Sequence, residues 1–339
     1  MSTPASNQPT PTLLFDTVLS FQKSAAIKAA VELDLFTAIG SGAATTPEIA
    51  ASTNASERGV RILCDYLTVI GFLTKSDGRY GLTQDSATFL DKRSPAYAGG
   101  VTGFLLSPEL VSHFSDLTTV VRTGTTLVGN EGTMEPDHPV WVAFAKGMMA
   151  MMFPAAQAMA EMAALDPAKK VRVLDVAAGH GLFGITFLQR YPNAEVVAVD
   201  WESVLDVARE HAEQFGVADR WEARPGSAFD VDLGEGYDVI LLTNFLHHFD
   251  AETNTRLLRR MHAALADGGK AITLEFVPND DRVTPPMQAT FSMVMLASTK
   301  AGDAFTFREL EKMFADAGFS RSEATVLPGE AQTVVVSEK

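Results

Sequence analysis

The chain has 339 residues, of which 46% are hydrophobic and 20% charged, so it is long enough for two globular domains, each with its own core. Its formal net charge of −15 disfavours a nucleic-acid partner, because most non-specific affinity for nucleic acids comes from basic contacts to phosphate. One cysteine, Cys64, excludes an internal disulfide and, with no signal-like N-terminus, favours the cytoplasm, while the short apolar stretches argue against a membrane partner.

The N-terminal part predicts a disordered tail followed by a winged helix. Residues 1–12 are rich in Ser, Thr and Pro and poor in apolar residues, which is typical of disorder. Residues 13–39 carry apolar side chains three and four apart and are predicted to be helical. Two further helices and a hairpin with its turn at 76–78 follow. Helix, helix and β-wing make a winged-helix pattern, and we place this domain at residues 13–100.

A winged helix is compatible with DNA binding, but the candidate recognition helix is not strongly basic. It carries Arg58 and Arg61 together with Glu57 and Asp65, and its apolar face is broad. We therefore interpret the domain as a module for packing and dimerisation. A ligand-sensing regulator that reads DNA through the winged helix stays the non-enzymatic alternative.

Residues 101–165 predict a helical connector that contains a cluster of methionines. Methionine is a deformable filler of hydrophobic cores and is also common at adaptable binding surfaces. The methionine cluster therefore fits either ordinary core packing or the roof of a ligand pocket. Both interpretations are correct if the helix covers a ligand.

From residue 166 onward, the pattern changes to strands that alternate with helices. Five short apolar runs predict buried parallel strands, and two more strands around a turn at 328–330 end the chain. The predicted strands are residues 171–176, 195–200, 221–223, 238–242, 270–277, 322–327 and 333–336. This order predicts an α/β domain over 166–339, with a Rossmann-like, doubly wound sheet and an antiparallel C-terminal strand.

A glycine loop follows the first of these strands. It runs from Asp175 to Gly181 and brings backbone close to a ligand at the carboxyl end of the sheet. A nicotinamide-binding domain also has such a loop, and Gly179, Gly181 and Gly184 formally match its G-x-G-x-x-G pattern, although the match begins too late after the strand. Asp175 suits a cationic sulfonium and ammonium better than a pyrophosphate. We therefore favour S-adenosylmethionine over NAD, and a nicotinamide dehydrogenase stays the second enzyme alternative.

An acidic residue ends the second strand. Asp200 lies nineteen residues after Gly181 (200 − 181), where a carboxylate can accept hydrogen bonds from both ribose hydroxyls of an adenosine cofactor. The alternative is a helix N-cap, a role that Glu202 would share. We favour the ribose role because the loop and the acid agree in position.

Two histidines, His247 and His248, follow the fourth strand and are expected at the ligand crevice. The ordinary pKa of histidine is about 6.5, which suits removal of a proton from an aromatic hydroxyl, whose pKa is about 10. Glu275 ends the fifth strand and is placed to orient the ring of His247, as a carboxylate does in a triad. The alternatives are a structural histidine or a metal site with Asp250. We disfavour metal because adjacent residues at a strand end point to opposite sides, and His248 is expected to point away from the crevice.

In this order, these residues resemble the two-domain small-molecule O-methyltransferases of plant phenolics and bacterial antibiotics, class I S-adenosylmethionine-dependent enzymes related to acetylserotonin methyltransferases. The family's D-x-G-G-G-x-G loop matches residues 175–181, and its G-D-x-F segment matches 226–229. Its L-H-D-W motif matches residues 246–249. The resemblance covers the chain from about residue 13 onward and includes the winged-helix module, which implies an intertwined homodimer.

The resemblance implies the cofactor site residue by residue. Ala177 and Ala178 replace two glycines of the loop, and alanine is tolerable there only if its φ angle is negative. Ser227 replaces the acid and keeps one hydrogen bond to the adenine amine, and Thr243 replaces a common lysine. The implied cofactor-binding residues are Asp175, Ala177, Gly179, Gly181, Asp200, Ser227, Ala228, Phe229 and Thr243. No metal belongs to this set.

The resemblance also implies direct methyl transfer to a hydroxyl, with His247 as the proton acceptor and Glu275 holding it. Plant members have a second carboxylate in a G-x-E-R-T segment, where this chain has Ala304, and Asp303 is one position off. This departure leaves open a relative that has lost methyl transfer. Whether oxygen, nitrogen or carbon is methylated also stays open from the sequence. A pocket rich in Met and Phe implies a small aromatic or polyketide-like acceptor. The candidate pocket residues are Phe144, Met148, Met152, Phe291 and Met295.

Overall fold

The computed structural model describes residues 9–329 and 331–339. The first eight residues of the predicted tail, and Glu330 in the predicted C-terminal turn, lie outside the described residues. The chain divides into two compact units, residues 1–106 and 107–339. The division falls shortly after the predicted end of the winged-helix domain, and most of the predicted helical connector belongs to the second unit.

The first unit consists of helices and one hairpin. Its elements are α1 (Thr12–Val18), α2 (Phe21–Glu32), α3 (Leu35–Gly40), α4 (Thr46–Ser52), α5 (Glu57–Val69), β1 (Leu73–Ser76), β2 (Arg79–Leu82), α6 (Gln84–Phe89) and α7 (Val101–Leu105). The prediction that residues 13–39 are helical is confirmed, and the helical stretch is divided into α1, α2 and α3. One break falls at Asp34, whose φ of 54° is a left-handed conformation that Asp tolerates better than most residues. The break turns Leu35 and Phe36 into the core of this unit.

Helices α4 and α5 and the β1–β2 hairpin follow in the predicted winged-helix order. Two basic side chains of this face, Arg61 and Lys75, are bound to a carboxylate within the unit. Asp65 on α5 accepts hydrogen bonds from Arg61 (3.0 Å), Lys75 (2.5 Å) and Tyr80 (2.7 Å). A carboxylate at the centre of the candidate DNA-reading face neutralises the cations that phosphate binding needs. The arrangement supports packing rather than DNA recognition.

The second unit is an α/β domain with a seven-stranded sheet. Its strands are β3 (Val171–Val176), β4 (Ala194–Asp200), β5 (Trp221–Pro225), β6 (Tyr237–Thr243), β7 (Leu265–Glu275), β8 (Arg321–Val326) and β9 (Thr333–Glu338). Its helices are α8 (Pro108–Ser112), α9 (Leu117–Thr123), α10 (Val140–Met162), α11 (Leu182–Arg190), α12 (Glu202–Gln214), α13 (Ala251–Ala264), α14 (Pro286–Ser298) and α15 (Phe307–Ala317). Short 3₁₀ turns cover Ala218–Arg220 and Leu246–His248.

The strand order is β5-β4-β3-β6-β7-β9-β8. Strands β3 to β7 are parallel to one another, whereas β9 is antiparallel to both β7 and β8. This topology confirms the predicted doubly wound sheet with an antiparallel C-terminal strand. The chain order reverses between β3 and β6, and ligands bind at such a switch point, outside the carboxyl ends of the strands.

The central strands end in register. Val176 at the end of β3 pairs with Val199 on one side and with Leu242 on the other. The residues that follow β3, β4 and β6 therefore meet at one edge of the sheet. These strands read as continuous apolar runs because helices cover them, and their side chains are almost fully buried.

Helix α10 carries most of the methionine cluster. It spans 23 residues and contains Pro154. Met148, Met152 and Met159 lie on its buried side together with alanines, which supports the core-packing interpretation for these three methionines. Within residues 9–329 and 331–339, no helix combines the length and the apolar character that crossing a membrane requires.

Candidate active site

A cavity of about 460 Å³ lies at the carboxyl ends of β3, β4, β5 and β6. Small-molecule sites typically measure about 300–1,000 Å³, so a nucleoside-sized ligand fits this volume. The loops after the four strands supply most of its lining. These lining residues are Ala177, Asp200, Trp201, Gly226, Ser227, Ala228, Phe229, Phe245, His248, Phe249 and Asp250.

The glycine loop forms a narrow connection between β3 and α11. Gly179 and Gly181 have φ angles of 57° and 74°, in the left-handed region that glycine adopts without strain. A Cβ at Gly181 would lie 2.9 Å from the Cβ of Ala208 on α12, so no side chain fits there. The two glycines thus allow the loop to turn sharply and to pack against the neighbouring helix.

Ala177 occupies a conformation that the sequence did not predict. Its φ angle is 53°, so the expectation of a negative φ for this alanine is wrong. A left-handed conformation costs an L-residue other than glycine about 1–2 kcal/mol. Ala177 lines the cavity, and non-glycine strain of this kind tends to occur at functional sites.

Asp200 joins the glycine loop to the end of β4. Its Oδ2 accepts a hydrogen bond from the Gly179 N–H (2.8 Å), and its Oδ1 accepts one from the Trp201 N–H (2.7 Å). Trp201, rather than Asp200, is the N-cap residue of α12. Burial raises the pKa of Asp200 to about 6, although the two N–H groups act to lower it. A carboxylate has about four acceptor positions, so Asp200 retains free ones at the cavity.

Asp175 lies at the end of β3 and is fully buried. Its Oδ2 accepts a hydrogen bond from the Gly184 N–H on α11 (3.0 Å), whereas its Oδ1 has no partner among the described residues. Burial raises the pKa of Asp175 to about 7, and the nearby charge of Asp200 adds to the rise. Asp175 does not line the cavity, so its position gives no support to the predicted contact with a cationic ligand.

Ser227 and two aromatic rings form the far side of the cavity. The rings of Phe229 and Phe249 meet edge to face with their centres 5.0 Å apart. Ser227 Oγ accepts a hydrogen bond from the Phe229 N–H (3.2 Å), which leaves its own O–H free to donate. Flat apolar surfaces beside a hydroxyl group suit a planar heterocycle such as adenine.

The predicted pair of His247 and Glu275 is brought together. Nδ1 of His247 lies 2.5 Å from Oε2 of Glu275, and both side chains are almost fully buried. Oε1 of Glu275 accepts hydrogen bonds from the N–H groups of Phe245 (3.0 Å) and Leu246 (2.8 Å). The carboxylate is therefore fixed on the same turn that carries the histidine, and Nε2 of His247 is left to exchange a proton.

His248 does not point away from the crevice, and that expectation is wrong. Its ring lines the cavity, lies 4.3 Å from the ring of His247 and meets the ring of Trp141 edge to face at 5.1 Å. The alternation that applies to an extended strand fails because both histidines lie in a 3₁₀ turn. Burial lowers the pKa of His248 well below its usual value, so the ring is neutral.

The candidate pocket residues lie near the site but outside the cavity lining. Phe291 on α14 meets the ring of His247 at 4.8 Å and stacks on Phe276 at 4.0 Å. Phe144 stacks on the ring of His180 at 5.6 Å and lies over Gly179, where a Cβ would be 3.2 Å from it. These two phenylalanines are thus adjacent to the base and to the loop.

The remaining sequence candidates are buried. Met152 on α10 lies with its sulfur 3.9 Å from Nδ2 of Asn244, directly before the histidine turn. Met148 and Met295 are almost fully buried, and Thr243 is a buried residue of β6. None of these side chains lines the cavity of about 460 Å³.

The position of the absent second carboxylate is filled by apolar packing. Ala304 is fully buried. The neighbouring Asp303 forms an ion pair with Arg282 at 3.0 Å, and so does not replace the missing acid. In the part of the chain that the structure describes, no cluster of three or more His, Cys, Asp or Glu side chains is placed to hold a metal ion.

Sequence reasoning missed several cavity residues. Trp201 directly follows Asp200, and Phe249 lies within the L-H-D-W match but was given no role there. The aromatic character of both residues was a usable signal. Glu131 and Lys300 also line the cavity and form an ion pair at 2.7 Å across 169 residues of sequence. Nothing in the sequence connects two such distant residues.

Comparison with known proteins agrees with this geometry. Residues 124–320 match the O-methyltransferase domain model, and residues 15–92 match the O-methyltransferase dimerisation domain model. The chain is 29% identical over 316 residues to 3-hydroxy-5-methyl-1-naphthoate 3-O-methyltransferase from Streptomyces sahachiroi, covering 91% of this chain and 90% of that protein. It is 26% identical to the tetracenomycin polyketide synthesis 8-O-methyltransferase from Streptomyces glaucescens, over 95% and 94% of the two chains.

A solved structure extends the comparison to the fold. A candidate O-methyltransferase from Nostoc punctiforme is 52% identical, with a TM-score of 0.94 over 98% of this chain and 100% of that chain. The domain match covers more than half of the chain. These matches confirm the predicted class of S-adenosylmethionine-dependent methyltransferase, and the chain belongs to the O-methyltransferase family.

Proposed function

We propose that the cavity binds the adenosine part of S-adenosylmethionine and that His247 removes a proton from a hydroxyl group of an aromatic or polyketide-like acceptor. The observation that carries the proposal is the position of the His247–Glu275 pair, one residue from a cavity built by a glycine loop and Asp200. Cofactor pocket and proton acceptor thus lie at the same edge of the sheet.

The residues around the cavity suit the adenosine part chemically. Asp200 would accept hydrogen bonds from the ribose hydroxyls through its free acceptor positions, since each oxygen accepts one backbone N–H. Phe229 and Phe249 would contact the adenine ring, and the Ser227 hydroxyl would donate to one of its nitrogens. The loop approaches closely because no side chain projects from Gly179 or Gly181.

When bound, S-adenosylmethionine supplies an electrophilic methyl group. The chain supplies orientation and proton transfer. Nδ1–H of His247 donates to Glu275, which selects the tautomer whose Nε2 accepts the proton of the acceptor hydroxyl. Glu275 then stabilises the imidazolium that forms. A positioned base of this kind contributes about 10²–10⁴-fold to a rate.

The acceptor class follows from the surroundings of His247 and from the relatives. Phe291 and Phe276 present stacked rings beside the base, and a planar apolar molecule complements such a surface. The Streptomyces relatives are named for a hydroxynaphthoate and for tetracenomycin polyketide synthesis. No acid occupies position 304, so the proposed acceptor depends on the single His247–Glu275 pair for proton removal.

The first unit is proposed to form a homodimer. Residues 15–92 match a dimerisation domain, and α1 exposes large apolar side chains, with Leu13 80% and Phe15 57% exposed. An isolated chain rarely leaves such a surface in water. Light scattering at micromolar concentration should give the mass of two chains, and a monomer mass would contradict the proposal.

Calorimetry with two ligands tests the proposed cofactor. S-adenosylhomocysteine should bind with micromolar-range affinity. NAD should not bind measurably, because the G-x-G-x-x-G match begins too late after β3 for a pyrophosphate-binding loop. Methyl transfer is then assayed with a panel of catechols, hydroxynaphthoates and hydroxyquinones. Binding of NAD without binding of S-adenosylhomocysteine would overturn the proposal.

A further inference from the structure

The segment that follows α14 returns to the backbone of His247. The Asp303 N–H donates a hydrogen bond to the carbonyl oxygen of His247 at 2.9 Å. His247 lies in a three-residue 3₁₀ turn, which has few hydrogen bonds of its own. The side chain is held by Glu275 and the backbone by this remote segment, so two contacts from different parts of the chain fix the ring.

Gly302 makes this approach sterically feasible. A Cβ at Gly302 would lie 2.2 Å from the carbonyl oxygen of His247 and 2.9 Å from the carbonyl carbon of His248. Its φ angle is not in the left-handed region, so space, rather than backbone freedom, requires the glycine. Backbone is therefore packed against backbone beneath the histidine turn.

Thr299 holds Gly302 in this position. The Thr299 side chain is almost fully buried, and its Oγ1 accepts a hydrogen bond from the Gly302 N–H (2.9 Å) while donating to the Met295 carbonyl (2.7 Å). One hydroxyl thus connects the last turn of α14 to the segment that bonds His247. Helix α14 also carries Phe291, whose ring meets the ring of His247 edge to face at 4.8 Å.

We propose that Thr299 is a positioning residue for methyl transfer, which acts through Gly302 and Asp303 to keep His247 in line with Glu275 and the acceptor. The inference rests on the proposed role of His247 as the base. A misplacement of about 1 Å can cost about 10²-fold in rate, so a buried hydroxyl distant from the acceptor can control turnover. Thr299 itself does not line the cavity.

Two substitutions separate positioning from packing. Thr299→Val keeps the shape of the side chain and removes the hydroxyl, whereas Thr299→Ser keeps the hydroxyl and loses a methyl group. A positioning role predicts that Thr299→Val lowers kcat by about tenfold or more and that Thr299→Ser recovers most of that loss. A role limited to packing of the methyl group predicts the reverse order, since the buried methyl group is lost only in Thr299→Ser.

The readouts are kcat, KM of the acceptor and Kd of S-adenosylhomocysteine. We expect kcat to fall in Thr299→Val by a larger factor than KM or Kd rises, because Asp200, Ser227 and Phe229 are untouched. Of the cavity lining, Lys300 and Ala301 lie between Thr299 and Gly302. Thr290→Val is the matched control. Thr290 lies on the same helix and bonds its hydroxyl back to Met287 at 3.1 Å, but it is exposed and remote from Gly302.

His247→Ala is measured in parallel to separate the two claims. If His247→Ala is inactive and Thr299→Val keeps its kcat, the positioning role is wrong and the base stands. If His247→Ala keeps full activity, the base is wrong, and Thr299 has no base to position. A fall of kcat in Thr299→Val with recovery in Thr299→Ser, alongside an inactive His247→Ala, supports both.

Discussion

Nδ1 of His247 lies 2.5 Å from Oε2 of Glu275, and the other oxygen of this carboxylate accepts two backbone N–H groups from the turn on which His247 lies. The pair therefore joins Glu275 at the end of strand β7 to His247 in the turn after β6, through both the side chain and the backbone of that turn. Both side chains are buried, so their electrostatic interaction is screened less than in water.

Glu275→Gln tests the charge of this pair. The amide keeps the size of the side chain and one acceptor oxygen, but it no longer stabilises an imidazolium. We expect kcat to fall by at least about tenfold, with little change in the affinity for S-adenosylhomocysteine. Steady-state kinetics with calorimetry measure both quantities. A variant with unchanged kcat would remove Glu275 from the proton-transfer step.

Ala177→Gly should stabilise the protein. Ala177 has a φ of 53°, and glycine relieves this strain at the cost of greater freedom in the unfolded chain. The net gain in the free energy of unfolding should be about 0.5–1 kcal/mol. Ala178→Gly is the matched control. Ala178 does not have a positive φ angle, so glycine relieves no strain there and this variant should be less stable than the wild type. Urea denaturation of both variants gives the comparison.

The affinity for S-adenosylhomocysteine should fall as the pH drops through about 6. Burial raises the pKa of Asp200 to about 6, so the native carboxyl is protonated below that pH and ionised above it. The ionised carboxylate of Asp200 accepts hydrogen bonds from two ribose hydroxyls better than the protonated one. Below pH 6, Asp200 must therefore lose a proton when the ligand binds, and the affinity falls by up to about tenfold per pH unit.

Asp200→Asn provides the control for this pH dependence. The amide still has one acceptor oxygen but cannot titrate, so its affinity should be lower and nearly constant between about pH 5 and 7. Calorimetry at several pH values measures the trend. The same slope in wild type and Asp200→Asn would assign the titration to another group.

The raised pKa values also predict how the unliganded protein responds to pH. Asp175 and Asp200 bind protons more tightly in the folded state, with pKa values of about 7 and 6, than in the unfolded chain. Their contribution to the free energy of unfolding is therefore fully present at pH values below the ordinary pKa of an aspartate. It is lost as the pH rises through about 6 and 7. Asp175→Asn should flatten this decline in thermal denaturation curves.

His248→Ala should weaken cofactor binding more than it slows transfer. The ring lines the cavity and is neutral, but it contacts neither Glu275 nor another carboxylate. Removing its contact surface should raise the Kd of S-adenosylhomocysteine by about tenfold, with a smaller change in kcat. If His248→Ala is inactive with normal cofactor affinity, His248 has a role in the chemistry itself.

The fold and the residues of the candidate site could be predicted from the sequence because both depend on where the strands begin and end. Parallel strands that end in register bring their following loops together, so their positions marked Asp200, His247 and Glu275 as candidates. The family resemblance then selected His247 as the proton acceptor. The antiparallel β9 followed from the C-terminal hairpin pattern. Local chemistry and topology agree at these residues.

Three features were not accessible from sequence. The left-handed conformation of Ala177 depends on the loop geometry, and alanine gives no signal for it. The orientation of His248 depends on a 3₁₀ turn that replaces the extended chain. The contact of Gly302 with His247 joins residues distant in sequence, and periodicity carries no information on such pairings.

Comparison of kcat and cofactor affinity in His247→Ala tests the central claim most directly. We predict that kcat falls by about 10²–10⁴-fold, as expected for loss of a general base. The Kd of S-adenosylhomocysteine should change by less than about tenfold, or 1.4 kcal/mol, because Asp200 and the Ser227 loop are unaltered. Full activity in His247→Ala, with an accepted hydroxyl substrate and normal cofactor binding, would contradict the account.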